Sequence, residues 1–399
     1  MANKNLAKAK NAKNDEFYTQ YADIQKEINA YLEYDPDVFR GKTILLPCDD
    51  PEWSNFTKFF AQNFENFGLK KLISTSYAYE SKKFKGPFQM TLFETEAPQF
   101  DANKAKTHGK IFVLDHDTNK NGRIDIDDLQ WEYLDGDGDF DSKEVRKLRD
   151  EADIIVTNPP FSLFRKFIGW IMEAKKKCIL IANKNCITYK EVFPLIKDNR
   201  LWVGKTSMSE DLLFEIPESM VNDFIEKGKE GSKYKIVNGK VLGRSSSIWL
   251  TNIDHGRRHQ PLQLMTMEDN IKFSRHKDIK GKEYQHYDNY DAIDVPYTDA
   301  IPSDYEGVMG VPISFLDKYC PEQFVILGSE KQNEGIRTKI YPEQIQVDKK
   351  GKRERVSKLN DGAAILLPDG TIPEGETYYI VEGRNYVQVY KRLFIRKKQ

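Results

Sequence analysis

An α/β fold with a parallel, doubly wound sheet is what residues 15–205 predict, on two observations. Short, continuous apolar runs of strand length recur along this stretch, and between them lie segments with helical spacing of apolar residues. Uninterrupted apolar runs fit strands buried on both faces, and alternation with helices is the signature of βαβ crossovers.

Each element has its own signal. "DEFYTQYADIQKEINAYL" sets Tyr21, Ile24, Ile28, Tyr31 and Leu32 at helical spacing, so a helix follows Phe-Tyr-Thr. "GKTILLPCDDPEWSNFTKFFAQNF" reads as a strand over Thr43 to Leu46, an acidic turn, and an aromatic-rich helix that Ser54 can cap. "KKLISTSY" and "GKIFVLD" are the next two strands. "ADIIVTNPP" is another, followed by helix "SLFRKFIGWIMEAKKK", strand "CILIAN", helix "TYKEVFPLI" and strand "LWVG". Beyond 205 the texture changes to loop-rich sequence, with a strand-like "SSSIWLTNID" and a strand-like end, "TYYIVEGRNYVQVYKRLFIRKK". No internal repeat of solenoid period is present.

Bulk properties bound the class. At 399 residues the chain has room for two domains, or for one large domain with an attached recognition region, and 39% hydrophobic with 31% charged residues excludes wholesale disorder. A net charge of -1 means that a polyanion partner must be met by a local patch. Cys48, Cys178, Cys186 and Cys320 are scattered, with no pair at zinc or redox spacing, which points to free thiols in a reducing compartment and hence the cytoplasm. The lysine-bearing start has no apolar h-region, and no run approaches the roughly 20 apolar residues of a membrane span, so neither secretion nor a membrane is expected.

The chemistry concentrates in Asn158-Pro159-Pro160-Phe161, at the carboxyl end of a strand. An exocyclic amine on a nucleobase is a poor nucleophile because its lone pair is delocalised into the ring. Two acceptors aimed at its N–H groups draw the nitrogen towards a tetrahedral form, and the Asn158 side-chain oxygen and the Pro159 carbonyl can be those acceptors. Proline fixes its own φ and restrains the preceding residue, so the double proline is a stiff mount. Phe161 offers a face on which a base stacks. The plain structural alternative is a strand ending in a proline-rich turn, with Phe161 as a hydrophobic staple. In open α/β sheets ligands lie beyond the strands' carboxyl ends, where strand order reverses, so "PCDDPEWSNF" and "NPPF" would face each other if their strands are neighbours.

Taken in order, "DEFYTQYADIQKEI", "LLPCDDPEWSNF", "DGDGDFDSKE", "ADIIVTNPPFSLF", "YDNYDAIDVP" and "DYEGVMGVPISFLDKYCPEQFVILG" resemble the EcoRI-type adenine-specific DNA methyltransferases over most of residues 15–330. The resemblance implies a monomeric enzyme that uses S-adenosyl-L-methionine to make N6-methyladenine from a flipped-out adenine in a short double-stranded DNA target. It implies a Rossmann-like catalytic domain at 15–205, a flexible basic arm at 1–14, and remaining strands plus a target-recognition region at 206–399. Phe17, Tyr18 and Thr19 look like the N-terminal cofactor motif. Cys48, Asp49 and Asp50 would line the donor's methionine end, where a carboxylate pairs with its ammonium. Asp139 and Phe140 resemble the block that contacts the donor's adenine. Asn158 to Phe161 is the catalytic tetrad, with Asn158 also beside the donor. The chain departs from other methyltransferases in lacking a glycine-rich first turn. Its second strand ends in Ser74, Thr75 and Ser76, with no acid for a ribose. A cognate restriction endonuclease is not legible in the sequence.

Further motifs stand apart from that resemblance. "DTNKNGRIDIDD" places oxygen ligands at Asp117, Asn119, Asn121, the Arg123 carbonyl, Asp125 and Asp128, with Gly122 at the turn, an EF-hand-like calcium pattern within an acidic insertion at 115–130. Its flanks do not read as a helix pair, and a solvated acidic insertion is the other reading. In "NIDHGRRHQPL", His255 and His259 lack a third ligand for zinc, whereas Arg257 and Arg258 suit DNA phosphates. Lys4, Lys8, Lys10, Lys13 and the tail "YKRLFIRKK" suit backbone contacts or plain solubility. Two rival functions stay open on the sequence: a methyltransferase acting on RNA or on a protein glutamine, and a calcium-dependent interaction module built on the 117–128 loop.

Overall fold

The computed structural model describes residues 18–47, 49, 54–78, 97–210, 212–216, 221–222, 225–226, 228–332, 335–389 and 391–398. The arm expected at 1–14, together with Phe17, Cys48 and Asp50, lies outside the described residues. The chain divides into two compact units, Met1–Val192 with Leu201–Gly256, and Phe193–Arg200 with Arg257–Gln399. Among the described residues no helix is long and apolar enough to cross a membrane.

The first unit is mixed α/β around an eight-stranded sheet. Its strands are β1 Thr43–Leu46, β2 Lys71–Ser76, β3 Lys110–Leu114, β4 Gln130–Tyr133, β5 Ile154–Thr157, β6 Lys177–Asn183, β7 Trp202–Val203 and β8 Ser247–Thr251. Their spatial order is β4-β3-β2-β1-β5-β6-β8-β7. The centre, β2-β1-β5-β6, is parallel, as the apolar runs predict, and β1 and β5 are buried at every residue. From β1 the chain builds outward through β2 on one side, then returns to place β5 on the other. The order therefore reverses between β1 and β5.

Strand "GKIFVLD" departs from the expected parallel arrangement. β3 pairs antiparallel with β2, and β4, which the sequence did not suggest, pairs antiparallel with β3. Burial of β3 alternates, with Ile111 and Val113 partly exposed, as suits a strand near the sheet's rim. β8 is likewise antiparallel to β6. The helix expected over "TYKEVFPLI" shortens to a 3-10 turn at Lys184–Thr188 and a helix at Phe193–Lys197, because Pro194 has no N–H to bond back to Lys190 and is tolerated only in a helix's first turn.

Four helices flank the site: α1 Tyr21–Tyr34, α2 Asn55–Gln62, α3 Lys143–Glu151 and α4 Phe164–Glu173. The core joins Ile24, Ile28 and Tyr31 of α1 and Phe56, Phe59 and Phe60 of α2 to Ile44, Ile154 and Trp249 of the sheet. The aromatic rings meet edge-on, Phe59 against Phe60 at 5.4 Å and Phe56 against Trp249 at 5.9 Å. Truncating one such phenylalanine to alanine costs about 3–5 kcal/mol. Buried Glu27 on α1 fixes the segment after β7, accepting hydrogen bonds from the Lys205 and Thr206 amides at 2.7 and 2.8 Å. A smaller sheet in the same unit pairs Tyr18–Thr19 with Leu212–Glu215, then Lys240–Ser245 and Tyr234–Val237. Its hairpin turns at Asn238-Gly239, both at positive φ, as a two-residue turn of this hand requires.

The second unit holds a four-stranded sheet and a five-stranded sheet. The strand-like end of the sequence forms three strands in it, Tyr378–Val381, Arg384–Gln388 and Arg392–Lys397. Arg392 is buried and pairs with Asp294 at 2.8 Å, joining two strands of the second unit's four-stranded sheet.

Candidate active site

The carboxyl ends of β1, β2 and β5 bring three loops together. Register explains the first meeting. β1 and β5 pair at Ile44 with Ile154 and Leu45 with Ile155, so two residues further Pro47 stands opposite Thr157. Proline has no N–H to extend a ladder. Here the Thr157 hydroxyl takes the role of the backbone, lying 2.9 Å from the Pro47 carbonyl and 2.5 Å from Asp49 Oδ2, to which it donates in a bifurcated bond.

Asp49 is buried, only 8% exposed, amid hydroxyls. Ser54 Oγ donates to its Oδ1 at 2.8 Å and accepts from the Phe56 amide at 3.2 Å, which caps α2 as the sequence suggests. The Asp49 carbonyl accepts from Thr57 Oγ1 at 3.2 Å and from Ser74 Oγ of β2. One residue of the β1 turn is thus tied to α2, β2 and β5. These hydroxyl partners, Thr57, Ser74 and Thr157, were missed by sequence reasoning. For Ser74 and Thr157 the signal is faint, a hydroxyl residue interrupting or ending an apolar strand at the edge where ligands bind, and Thr57, within α2, carries none.

The second loop carries Asp139 and Phe140. The turn at 136–138 hugs the end of β2: the Ala78 amide donates to the Asp137 carbonyl at 2.8 Å, and a Cβ on Gly138, at φ +84°, would lie 2.3 Å from the Ser76 carbonyl. Only glycine fits there. Asp139 is half-buried, its Oδ1 accepting from the Asp141 amide at 2.8 Å and its carbonyl from the Ser142 amide at 2.9 Å, where α3 begins. Phe140 is buried against Phe167 at 5.1 Å and Trp170 at 5.6 Å on α4. Asp141 bonds Lys166 at 2.7 Å, and Lys166 foremost, with Arg146, holds its carboxyl below the usual range.

The third loop is Asn158 to Leu163. The Pro160 carbonyl accepts the Leu163 amide at 2.9 Å, closing a turn into α4. No described residue donates to the Pro159 carbonyl, and Pro159 itself is buried. Phe161 is half-buried and packs against the main core, so one side of its ring is anchored, as a staple would be.

Tyr18-Thr19 reaches this region from the smaller sheet: Asn55, first residue of α2, donates its side-chain amide to the Thr19 carbonyl at 2.8 Å. The Thr19 Oγ1 is buried without a hydrogen-bond partner among the described residues. A buried orphan hydroxyl invites a ligand, so Thr19 suits the edge of a donor site.

The remaining sequence candidates lie elsewhere. Arg258 is buried and bonds Asn199 Oδ1, while Arg257, a quarter exposed, lies 3.9 Å from Asp317. His259 meets Glu322 at 2.9 Å. In the 117–128 loop the acids turn inward. Asp117 accepts from the Asn121 and Gly122 amides, Asn119 from Asn121, Asn121 from Arg123, and Asp125 from Asp127. Asp128 accepts from Thr118, Asn119 and Asp125. Among the described residues no three His, Cys, Asp or Glu gather at metal-holding distance. Nothing among the described residues supports the calcium expectation at Asp117, Asn119, Asn121, Arg123, Asp125 and Asp128, where the Asp and Asn side chains accept from the loop's own amides.

The chain matches the family model described as adenine-specific methyltransferase EcoRI over residues 5–368. It is 40% identical over 329 residues to the Type II methyltransferase M.EcoRI of Escherichia coli, covering 82% of this chain and 90% of that one. It is 33% identical over 328 residues to M.MpnI of Mycoplasma pneumoniae, covering 80% and 84%, and 32% identical over 321 residues to M.MgeORF184P of Mycoplasma genitalium, with the same shares. No solved structure matches the chain.

Proposed function

The chain belongs to the EcoRI family of adenine-specific methyltransferases, and from that premise we propose how its own residues divide the work. It is a site-specific DNA adenine methyltransferase, and the readings as an RNA or protein-glutamine enzyme, or as a calcium module, are set aside. S-adenosylmethionine, the donor the family implies, supplies an electrophilic methyl group when bound. Phe17, Tyr18 and Thr19, with Cys48, Asp49 and Asp50, hold its amino-acid end, and Asp139 and Phe140 close the side where its adenine lies. The orphan Thr19 hydroxyl and the half-buried Asp139 support that assignment.

The target adenine cannot be reached within a stacked duplex, so it is flipped out. Asn158 Oδ1 and the Pro159 carbonyl then accept its two amino hydrogens, which holds the nitrogen with its lone pair directed outward. As the methyl group arrives, the nitrogen gains positive charge, and both acceptors stabilise that charge more than they stabilise the neutral amine. The surplus proton leaves to water. Phe161, anchored on one side, offers the rest of its ring to the base. The observation that carries this reading is the carbonyl of buried Pro159, stiffly mounted and accepting from no described residue, beside Asn158 where the strand order reverses. A catalytic domain of Rossmann-like type in the first unit and target recognition within the second complete the proposal. Arg257 is one phosphate contact, in a monomeric cytoplasmic enzyme.

Asn158→Ala tests it. Single-turnover methylation of a duplex should fall by about 10²–10³-fold, as loss of one transition-state hydrogen bond does elsewhere, while calorimetric affinity for the donor stays within severalfold. Unchanged turnover removes Asn158 from the mechanism.

A further inference from the structure

We propose that Thr157 is a positioning residue for methyl transfer: its hydroxyl, bridging the Pro47 carbonyl and the Asp49 carboxylate, sets the distance between the donor-side turn and the catalytic turn. This rests on the roles proposed for Asn158 and for Asp49.

Parallel strands that flank a switch point must separate to make a crevice, and backbone pairing cannot fix how far. The β1–β5 ladder ends at Leu45 and Ile155, and Pro47 cannot prolong it. Each strand then runs into functional residues, Asp49 after β1 and Asn158 to Phe161 after β5. The Thr157 side chain is fully buried and spans this gap, at 2.9 Å to Pro47 and 2.5 Å to Asp49. The next residue is Asn158. A carboxylate acceptor makes the bond about twice as strong as a neutral pair. Asp49 is itself held against sliding by Ser54 on its other oxygen and by Ser74 on its carbonyl. The latch therefore ends on a fixed post. β-Branching adds stiffness at χ1, so the hydroxyl has few other places to go. Since transfer requires a near-attack alignment, a displacement of about 1 Å is enough to lower the rate on the order of 10²-fold.

Thr157→Val keeps the shape and β-branching and deletes only the hydroxyl, while Thr157→Ser restores it. The full-length valine variant should bind S-adenosylmethionine, followed by titration calorimetry, within threefold of the parent, yet lose about 10–100-fold in single-turnover methylation per folded molecule. The serine variant should recover to within threefold of the parent. A valine variant that melts earlier but methylates at the parental rate per folded molecule makes the bond structural and overturns the proposal. Failure of serine to recover the rate overturns it too. Asn158→Ala is run alongside: if it is inactive while the valine variant is fully active, the latch is wrong and the catalytic turn stands. If Asn158→Ala is active, the catalytic turn itself is wrong.

Discussion

Asp49 and Asp128 are both buried aspartates in the first unit, 8% and 1% exposed, and they differ in where their hydrogen bonds come from. Asp49 takes its donors from hydroxyls on other elements, Ser54 at the head of α2 and Thr157 at the end of β5. Asp128 takes its donors from its own loop: the Thr118 amide and hydroxyl at 2.8 and 2.9 Å, the Asn119 amide at 3.1 Å and the Asp125 amide at 3.1 Å. One carboxylate therefore couples distant segments across a crevice, and the other knots a local excursion. The lesson is that burial of an acid says little about its task, whereas the sequence distance to its donors says much. Thr157 is 108 residues from Asp49, while the Asp128 donors lie 3 to 10 residues away.

The difference predicts opposite outcomes for the same substitution. Asp49→Ala should lower kcat/KM for duplex methylation by about 100-fold, equivalent to about 2.7 kcal/mol of lost transition-state stabilisation. Asp128→Ala should leave kcat/KM per folded molecule within about threefold and show itself as a lower Tm. Steady-state kinetics on material whose folded fraction is measured by circular dichroism decides the matter. Comparable rate losses in both variants would erase the distinction between a coupling acid and a local one.

Legibility in the sequence divides along the same line. The parallel strands were readable because "TILL", "IIVT" and the "CILIA" of "CILIAN" are buried throughout, so burial leaves a continuous apolar run. The cap at Ser54 was readable because its partner, the Phe56 amide, is two residues away. The direction of β3 was not, since an alternating strand carries no sign of which way its neighbour runs. β4 escaped notice because "QWEY" buries only Trp131 among acidic and polar residues. The tetrad at Asn158 could be found from chemistry alone, but its tether to Asp49 could not. A threonine at a strand end looks the same whether its hydroxyl meets its own turn or one 108 residues back. The loop at 117–128 is ambiguous in the opposite sense: the oxygens that would ligate an ion are also those that cap their own backbone amides.

Acid titration sharpens the comparison with a smaller effect. Burial alone pushes the Asp128 carboxyl up, but hydrogen bonds from Asn119, Asp125 and Thr118 outweigh it and hold it below the ordinary aspartate range. The unfolded chain then binds this proton more readily than the folded one. The stabilisation from Asp128 is therefore full above the ordinary aspartate range and is lost as pH falls through the depressed native value. In urea melts the gap between parent and Asp128→Asn should be constant from pH 7 to pH 5 and narrow below about pH 4. A gap that stays constant to pH 3 would show that the depressed pKa adds nothing to folding.

The smallest expected effect is that of calcium. An ion at this loop would have to share oxygens that already accept hydrogen bonds, since Asp117 accepts the Gly122 amide at 2.8 Å and Asn121 accepts that of Arg123 at 2.8 Å. Any oxygen that turned wholly to the ion would leave a backbone N–H to find another partner, which costs about 1–3 kcal/mol where water is excluded. At this mostly exposed loop water can take up those amides, so the penalty is modest, and the inward-facing Asp128 decides the matter. Its two oxygens hold both ends of the loop, at Thr118 and Asp125, and turning them to an ion would open the knot that the burial of Asp128 records. Addition of millimolar calcium, or dialysis against a chelator, should therefore move neither Tm nor the single-turnover rate. A rise of several degrees in Tm with calcium, absent in Asp128→Ala, would mean that the loop exchanges its internal bonds for an ion. Asp128 would then act across the loop as Asp49 acts across the crevice.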